Sequence, residues 1–311
     1  MKITFLGTGA GLPSKQRNVS SVALHLLDNK GSIWLFDCGE ATQHQILHTT
    51  IKPRKIEKIF ITHLHGDHIY GLPGLLSSRS FQEGISPLTI YGPKGIRDYI
   101  EMCLSISQTK LGYQLNFVEV YHGFQFVEND YTIDVIKLDH GVDSFGYRII
   151  EADQIGELQV DKLKSLGIKP GPIYQQIKSN EVTQLPNGEL IYRQDVVGSN
   201  KKGRKIAIFG DTRYPLKNVN FIYNCDLLIH EATFHGEDQD LADQYYHSSN
   251  VQVAELAKQA QVKQLILTHI SARYQEHDLE DFLREARAVF KQTLLAQDFL
   301  TIDVPKDTRI K

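Results

Sequence analysis

Short apolar runs rich in β-branched and aromatic residues recur along the chain, each bounded by Gly, Asp, Asn or Pro. They predict strands at 2–6, 21–27, 33–37, 58–62, 88–91, 115–121, 131–138, 144–150, 205–209, 226–230, 263–268 and 299–304. Apolar residues at helical spacing predict helices at 41–48, 69–81, 95–106, 251–260 and 279–290. In the last of these, Leu279, Phe282, Leu283, Ala286 and Phe290 share one face, and Asp278 stands where an N-cap would. Many strands with helices in two clusters predict an α/β protein of packed sheets covered by helices. No repeat of fixed period and no low-complexity tract interrupts the pattern.

The pattern weakens between about 153 and 204. Glycines and prolines gather at Gly167, Pro170, Gly171, Pro172, Pro186 and Gly188, and lysines recur at Lys162, Lys164, Lys169, Lys178, Lys201 and Lys202. Two readings stand: a solvated insertion with no task, or a functional excursion from the domain.

Composition narrows the function only loosely. With 311 residues there is room for one large domain or two modest ones. A net charge of -3 marks no whole-chain affinity for nucleic acid, so any such role needs a local basic patch. Cys38, Cys103 and Cys225 are odd in number and far apart, which argues for a reducing compartment and against a disulfide framework. The N-terminal run is too short for a signal peptide, and no stretch approaches a membrane span. The chain is therefore expected to be cytoplasmic, with no membrane partner.

The chemistry concentrates at strand ends. Residues 61–71 read ITHLHGDHIYG, placing three histidines and an acid directly after an apolar run. Side chains two apart in an extended chain point the same way, so His63 and His65 can reach one metal together. Asp67 and His68, beyond Gly66, can turn toward a second point nearby. Three further strand ends carry potential ligands: His140 in VIKLDHG, Asp211 in IAIFGDT and His269 in LILTHIS. The count fits two zinc ions, with His63, His65 and His140 on one, Asp67, His68 and His269 on the other, and Asp211 between. A His-rich solvated turn is the bland alternative, but an isolated turn would not recruit three unrelated strand ends. His25, His44, His48, His122 and His277 stand alone and are read as ordinary residues.

The run THLHGDH resembles the signature of the metallo-β-lactamase fold superfamily. The rest of the chain is similar to its ribonuclease Z (tRNase Z) branch, short form. The matching stretches are FLGTGAGLPSKQRN at 5–18, LFDCGEATQHQ at 35–45, KPGPIY at 169–174, FGDTR at 209–213, HEATF at 230–234, HSS at 247–249 and LTHIS at 267–271. The resemblance implies a single 1–311 domain, a four-layer αβ/βα sandwich with metals at its edge. It makes 153–203 a flexible exosite arm that grips tRNA, with Gly171, Pro172 and Lys178 as RNA contacts. It also implies a homodimer acting on precursor tRNA, with two zinc ions per subunit (or manganese or another divalent ion). The enzyme would remove the 3′ trailer and leave a 3′-hydroxyl and a 5′-phosphate. Asp67 would accept a proton, His247 would protonate the leaving 3′-oxygen, and Glu231 would orient His247. Taken bare, His247 could equally border the following helix. The GTGAG loop is either a tight turn or, on the family reading, a loop near the RNA end with Arg17 facing a phosphate.

Overall fold

The computed structural model describes residues 1–27, 31–213 and 218–306. It divides the chain into two compact units, one of Met1–Ile149 with Lys205–Val304, the other of Ile150–Arg204 with residues 305–306.

The first unit is built on two seven-stranded sheets. In the first sheet the order is Thr301–Asp303, Lys2–Gly7, Ser21–Leu26, Ser32–Phe36, Ile56–Phe60, Leu88–Gly92 and Leu115–Glu119. In the second it is Thr293–Leu295, Leu265–Thr268, Leu227–Glu231, Lys205–Phe209, Ser144–Glu151, Tyr131–Leu138 and Gln125–Glu128. Strand alternation explains the layering. In Ser32–Phe36, Trp34 and Phe36 join a core shared with Ile133, Tyr147, Ile208 and Ile229 of the other sheet. Ile33 and Leu35 point the opposite way, into a second core with Leu72, Leu75 and Leu76 of the helix Leu72–Phe81 and with Ile96 and Ile100 of Ile96–Ile106. On the far side, Ala207 and Leu228 meet Val253, Ala254 and Ala257 of Asn250–Gln259 and Phe282 and Ala286 of Glu276–Val289. Both sheets are thus apolar on both faces, and the result is the four-layer αβ/βα sandwich that the sequence predicts.

Two expectations need correction. The predicted helix 69–81 is two helices, Gly66–Ile69 and Leu72–Phe81, because the backbone between them bonds elsewhere: Cys38 N donates to His68 O and Gly71 N to Cys38 O. A Cβ on Gly71 would come within 2.0 Å of Gly39 O, so only glycine fits that approach. The last helix starts earlier than its apolar face suggests. Gln275 is its N-cap, and Asp278, at the third helical position, closes a capping box by accepting from Gln275 N.

The second unit has more regular structure than its sequence advertises. It holds the helices Val160–Ser165, Pro172–Ser179 and Arg193–Val196, and an antiparallel hairpin of Val182–Gln184 with Leu190–Tyr192. Leu163, Ile168, Ile177, Leu185 and Val196 form its own small core. Its two chain ends meet where Arg204 donates from Nε and Nη2 to Glu151, at 2.7 and 2.8 Å. Burial works against charge on Glu151, but these bonds outweigh it and hold its pKa down at about 2. Among the described residues, no helix is long and apolar enough to cross a membrane.

Candidate metal centre and its acid–base pair

In the first sheet, Ser32–Phe36, Ile56–Phe60 and Leu88–Gly92 run parallel; in the second, Lys205–Phe209, Leu227–Glu231 and Leu265–Thr268 do. Parallel strands deliver their carboxyl ends to one edge, the usual place to collect a site. Asp37, His63, Asp211, Glu231 and His269 all sit at or just beyond such ends. Asp37 and His269 have left-handed backbones, φ 57° and 59°, which stop the extended chain abruptly. Gly210 lets the two sheets close up beside Asp211, since a Cβ there would lie 2.5 Å from Thr62 Cβ.

The seven predicted ligands come together in two groups of four sharing Asp211: His63, His65, His140 and Asp211, and Asp67, His68, Asp211 and His269. In each group the donor atoms lie within 4.8 Å of one another. His65 Nδ1 is 3.1 Å from His63 Nε2 and 3.2 Å from His140 Nε2. Asp211 Oδ2 lies 3.6 Å from His63 Nε2, 3.5 Å from His68 Nε2 and 3.3 Å from His269 Nε2. Asp67 Oδ2 is 3.2 Å from His269 Nε2 and accepts from Gly11 N at 2.8 Å. Imidazole nitrogens and carboxylate oxygens converging this closely form a donor set that a cation among them would satisfy.

Hydrogen bonds behind the rings settle which nitrogen is offered. Thr62 Oγ1 donates to Asp37 Oδ2 at 2.8 Å, so it accepts from His63 Nδ1. The same carboxylate oxygen accepts from His68 Nδ1 at 2.8 Å. Thr233 Oγ1 donates to Glu231 Oε2 at 2.8 Å, so it accepts from His269 Nδ1. His140 Nδ1 donates to Tyr246 O. Each outward nitrogen carries its proton, and Nε2 of His63, His68, His140 and His269 is left free as a donor to metal. The imidazole–carboxylate set and this proton placement fit divalent ions such as zinc.

The charges agree. Burial and the neighbouring imidazoles, His68 first, push the His63 pKa well down, so the ring is neutral. Burial also opposes charge on Asp211 and on Asp67, but the surrounding imidazoles outweigh it and hold both carboxyls below their usual range.

Beside this centre stands a second arrangement. Glu231 is fully buried and accepts from Thr212 N, Ser248 N and Thr233 N at 3.1, 3.1 and 2.9 Å. His247 Nδ1 lies 3.0 Å from Glu231 Oε1. Burial alone would lower the His247 pKa, but the Glu231 charge outweighs it and lifts the pKa to about 9. The helix-border alternative for His247 is met by Ser249, whose side chain accepts from Gln252 N and caps Asn250–Gln259. A cavity of about 280 Å³ is lined by His65, Asp67, Asp211 and His269 of the candidate ligands together with His247, Phe234, Tyr245 and Arg273.

Of the expected RNA contacts, Gly171, Pro172 and Lys178 are exposed, Pro172 opening the helix Pro172–Ser179 and Lys178 in its last turn. Arg17 is a correction. Its guanidinium is buried, with Nη1 donating to Thr8 Oγ1 and to Ala296 O at 2.7 and 2.6 Å, so it braces the loop and faces no phosphate. Gly9 permits this approach, since a Cβ there would lie 3.2 Å from Arg17 Cβ, and motif matching cannot see it. Asp37, Thr62 and Thr233 are the site residues that sequence reasoning passed over. For Asp37 a signal existed: an acid directly after the apolar run IWLF is as anomalous as the histidines after Ile61.

Comparison with known proteins follows the same lines. The family described as Anti-Pycsar protein Apyc1 matches residues 1–151. A ribonuclease Z of Oceanobacillus iheyensis is 58% identical over 306 residues, covering 98% of this chain and 100% of that one. One of Bacillus cereus is 53% identical over 307 residues, with the same coverage. The crystal structure of human tRNase Z, short form, is 31% identical, with a TM-score of 0.72 over 98% of this chain and 100% of that one. The metallo-β-lactamase fold protein YhfI of Bacillus subtilis, 19% identical, shares the fold at a TM-score of 0.68 over 97% and 98% of the two chains.

Proposed function

The chain belongs to the ribonuclease Z family of nucleases, and from that premise we propose that it is a zinc-dependent endoribonuclease that removes the 3′ trailer from precursor tRNA. Cleavage leaves a 3′-hydroxyl on the tRNA and a 5′-phosphate on the trailer. The observation that carries this reading is the adjacency of a seven-residue candidate metal centre and a Glu231–His247 pair that brings His247 to the same cavity.

Two zinc ions would be held, one by His63 Nε2, His65 Nδ1 and His140 Nε2, the other by Asp67 Oδ2, His68 Nε2 and His269 Nε2, with Asp211 Oδ2 shared. Such ions neutralise phosphate charge and lower the pKa of water toward ~7. Asp67, at the cavity wall and ionised, takes the proton of the attacking water. Asp37 and Glu231 hold the histidine rings so that no reorganisation is needed during the reaction. Glu231 keeps His247 protonated at neutral pH with its Nδ1 engaged, leaving Nε2 for the substrate. As the bond from water oxygen to phosphorus forms and the bond to the 3′-oxygen breaks, His247 gives that oxygen its proton. Glu231 is a positioning residue, not a catalytic one. Gly171, Pro172 and Lys178 supply exposed contacts for the RNA away from the cut, and the working enzyme is a cytoplasmic homodimer.

The test is to incubate the pure protein, with zinc or manganese, with a precursor tRNA lacking an encoded CCA and to map the product ends. A single cut after the discriminator nucleotide, lost with chelator and in His65→Ala, is the expected result. A protein that carries metal and hydrolyses a simple phosphodiester but leaves the precursor intact would be a small-molecule hydrolase instead.

A further inference from the structure

We propose that Phe234, Tyr245 and Arg273 form the subsite for the nucleotide immediately 5′ of the scissile bond, the rings taking its base and the guanidinium its 5′-phosphate; this rests on the ribonuclease reading above. The cavity at the centre is lined by two chemically different sets of side chains. One is the imidazoles and carboxylates of the candidate ligands. The other, Phe234, Tyr245 and Arg273, is aromatic and cationic, and nothing in the metal chemistry requires it.

Its rings are arranged to receive a flat group. Phe234 and Tyr245 lie nearly parallel, 13° apart, with centroids 6.3 Å from each other. Phe234 is buried and Tyr245 is exposed, so the pair is anchored at one ring and accessible at the other. The Arg273 guanidinium lies 5.0 Å from the Phe234 ring centroid, and Asp238 Oδ2 is 3.9 Å from its Nη1, beyond hydrogen-bonding distance. The cation is oriented by the ring while still half exposed, with capacity for a phosphate oxygen.

The chemistry decides which nucleotide this is. When hydrolysis leaves the hydroxyl on the upstream product, the oxygen that His247 protonates belongs to the upstream nucleotide. The His247 ring stands between the two sets, 5.5 Å from the His269 ring and 6.1 Å from Phe234. A ribose whose 3′-oxygen touches His247, with the scissile phosphate at the candidate ligands, therefore has Phe234 and Tyr245 within reach of its base. A stacking platform accepts any of the four bases, because each presents a π face.

The experiment compares kcat/KM of wild type and Tyr245→Ala on a precursor tRNA and on the same RNA made abasic at the nucleotide 5′ of the cut. Removing the base is expected to slow wild type about 5- to 160-fold, the range of one base–aromatic stack. It should slow Tyr245→Ala by less than about twofold, because the two deletions remove the same contact. Tyr245→Leu, which keeps an apolar side chain without a π face, should behave as Tyr245→Ala does, and Tyr245→Phe as wild type. Arg273→Ala should lose the same factor on both RNAs, because its contact is with phosphate. Penalties that multiply in Tyr245→Ala and Tyr245→Leu would overturn the proposal, as would full activity of both on the intact RNA. A wild type that cuts neither RNA overturns the ribonuclease reading and this subsite with it.

Discussion

The two units solve different problems with different materials. In the first, four of the site's imidazoles are held from behind by buried carboxylates: His63 and His68 through Asp37, His269 and His247 through Glu231. In the second, five buried apolar residues support a surface of paired charges, such as Lys202 with Asp153 at 2.7 Å and Lys164 with Asp161 at 3.8 Å. Chemistry on one phosphodiester needs atoms placed within fractions of an ångström, so its supports are rigid and desolvated. Under the proposed function the second unit would meet a long polyanion, which needs only charge at roughly the right place, so exposed, solvated lysines would suffice. Substitutions should therefore be felt sharply in the first unit, and in the second only where its small core is touched.

The largest effect is expected at His247. His247→Ala should lower kcat by roughly 10²- to 10⁴-fold, the usual worth of a positioned general acid, with metal content unchanged by elemental analysis. Full kcat in this variant would remove the acid role. Glu231→Gln tests the cause of its protonation. The active form of His247 is the imidazolium, so activity falls as pH rises through its pKa, about 9 with Glu231 ionised. Without that charge the alkaline limb of the pH–rate profile should move down toward the ordinary value near ~6.5. An unmoved limb would assign it to another group.

Next comes the core of the second unit. Leu163→Ala removes a fully buried side chain and should cost that unit about 2–5 kcal/mol. Hydrogen exchange should accelerate across 160–196 while metal content stays constant. Loss of metal in this variant would break the contrast between the units. Asp37→Asn removes the carboxylate behind two rings and should weaken metal affinity about 10- to 100-fold, read by competition with a chelator. An unchanged affinity would show that packing alone orients His63 and His68. The smallest effect belongs to Lys202→Ala, which breaks an exposed ion pair and should leave the melting temperature unaltered.

How far each part was legible follows from the range of its cause. Strand alternation and the apolar face of Glu276–Val289 are local, and both appear in the residue pattern. The grouping of the candidate ligands was legible for the same reason: His63, His65, Asp67, His68, His140, Asp211 and His269 each stand near the end of an apolar run, where a group able to bind metal is anomalous. The start of Glu276–Val289 was misread because a polar first turn leaves no apolar trace. The elements of 150–204 were faint because a core of five residues imposes too short a pattern to stand out among glycines and lysines. Arg17 was misplaced because a motif says which residue is present, not whether its side chain turns inward.

By itself, then, the amino-acid order determined which groups would be available and which faces of each strand would be buried, since both follow from side-chain chemistry and a period of two. Only the tertiary structure decided which nitrogen of each imidazole is free, that Asp211 serves both ligand groups, and that one buried carboxylate, Glu231, supports both His247 and His269. These facts join residues from different strands and both sheets. They depend on distances of about 3 Å between groups up to two hundred positions apart, which no local propensity encodes.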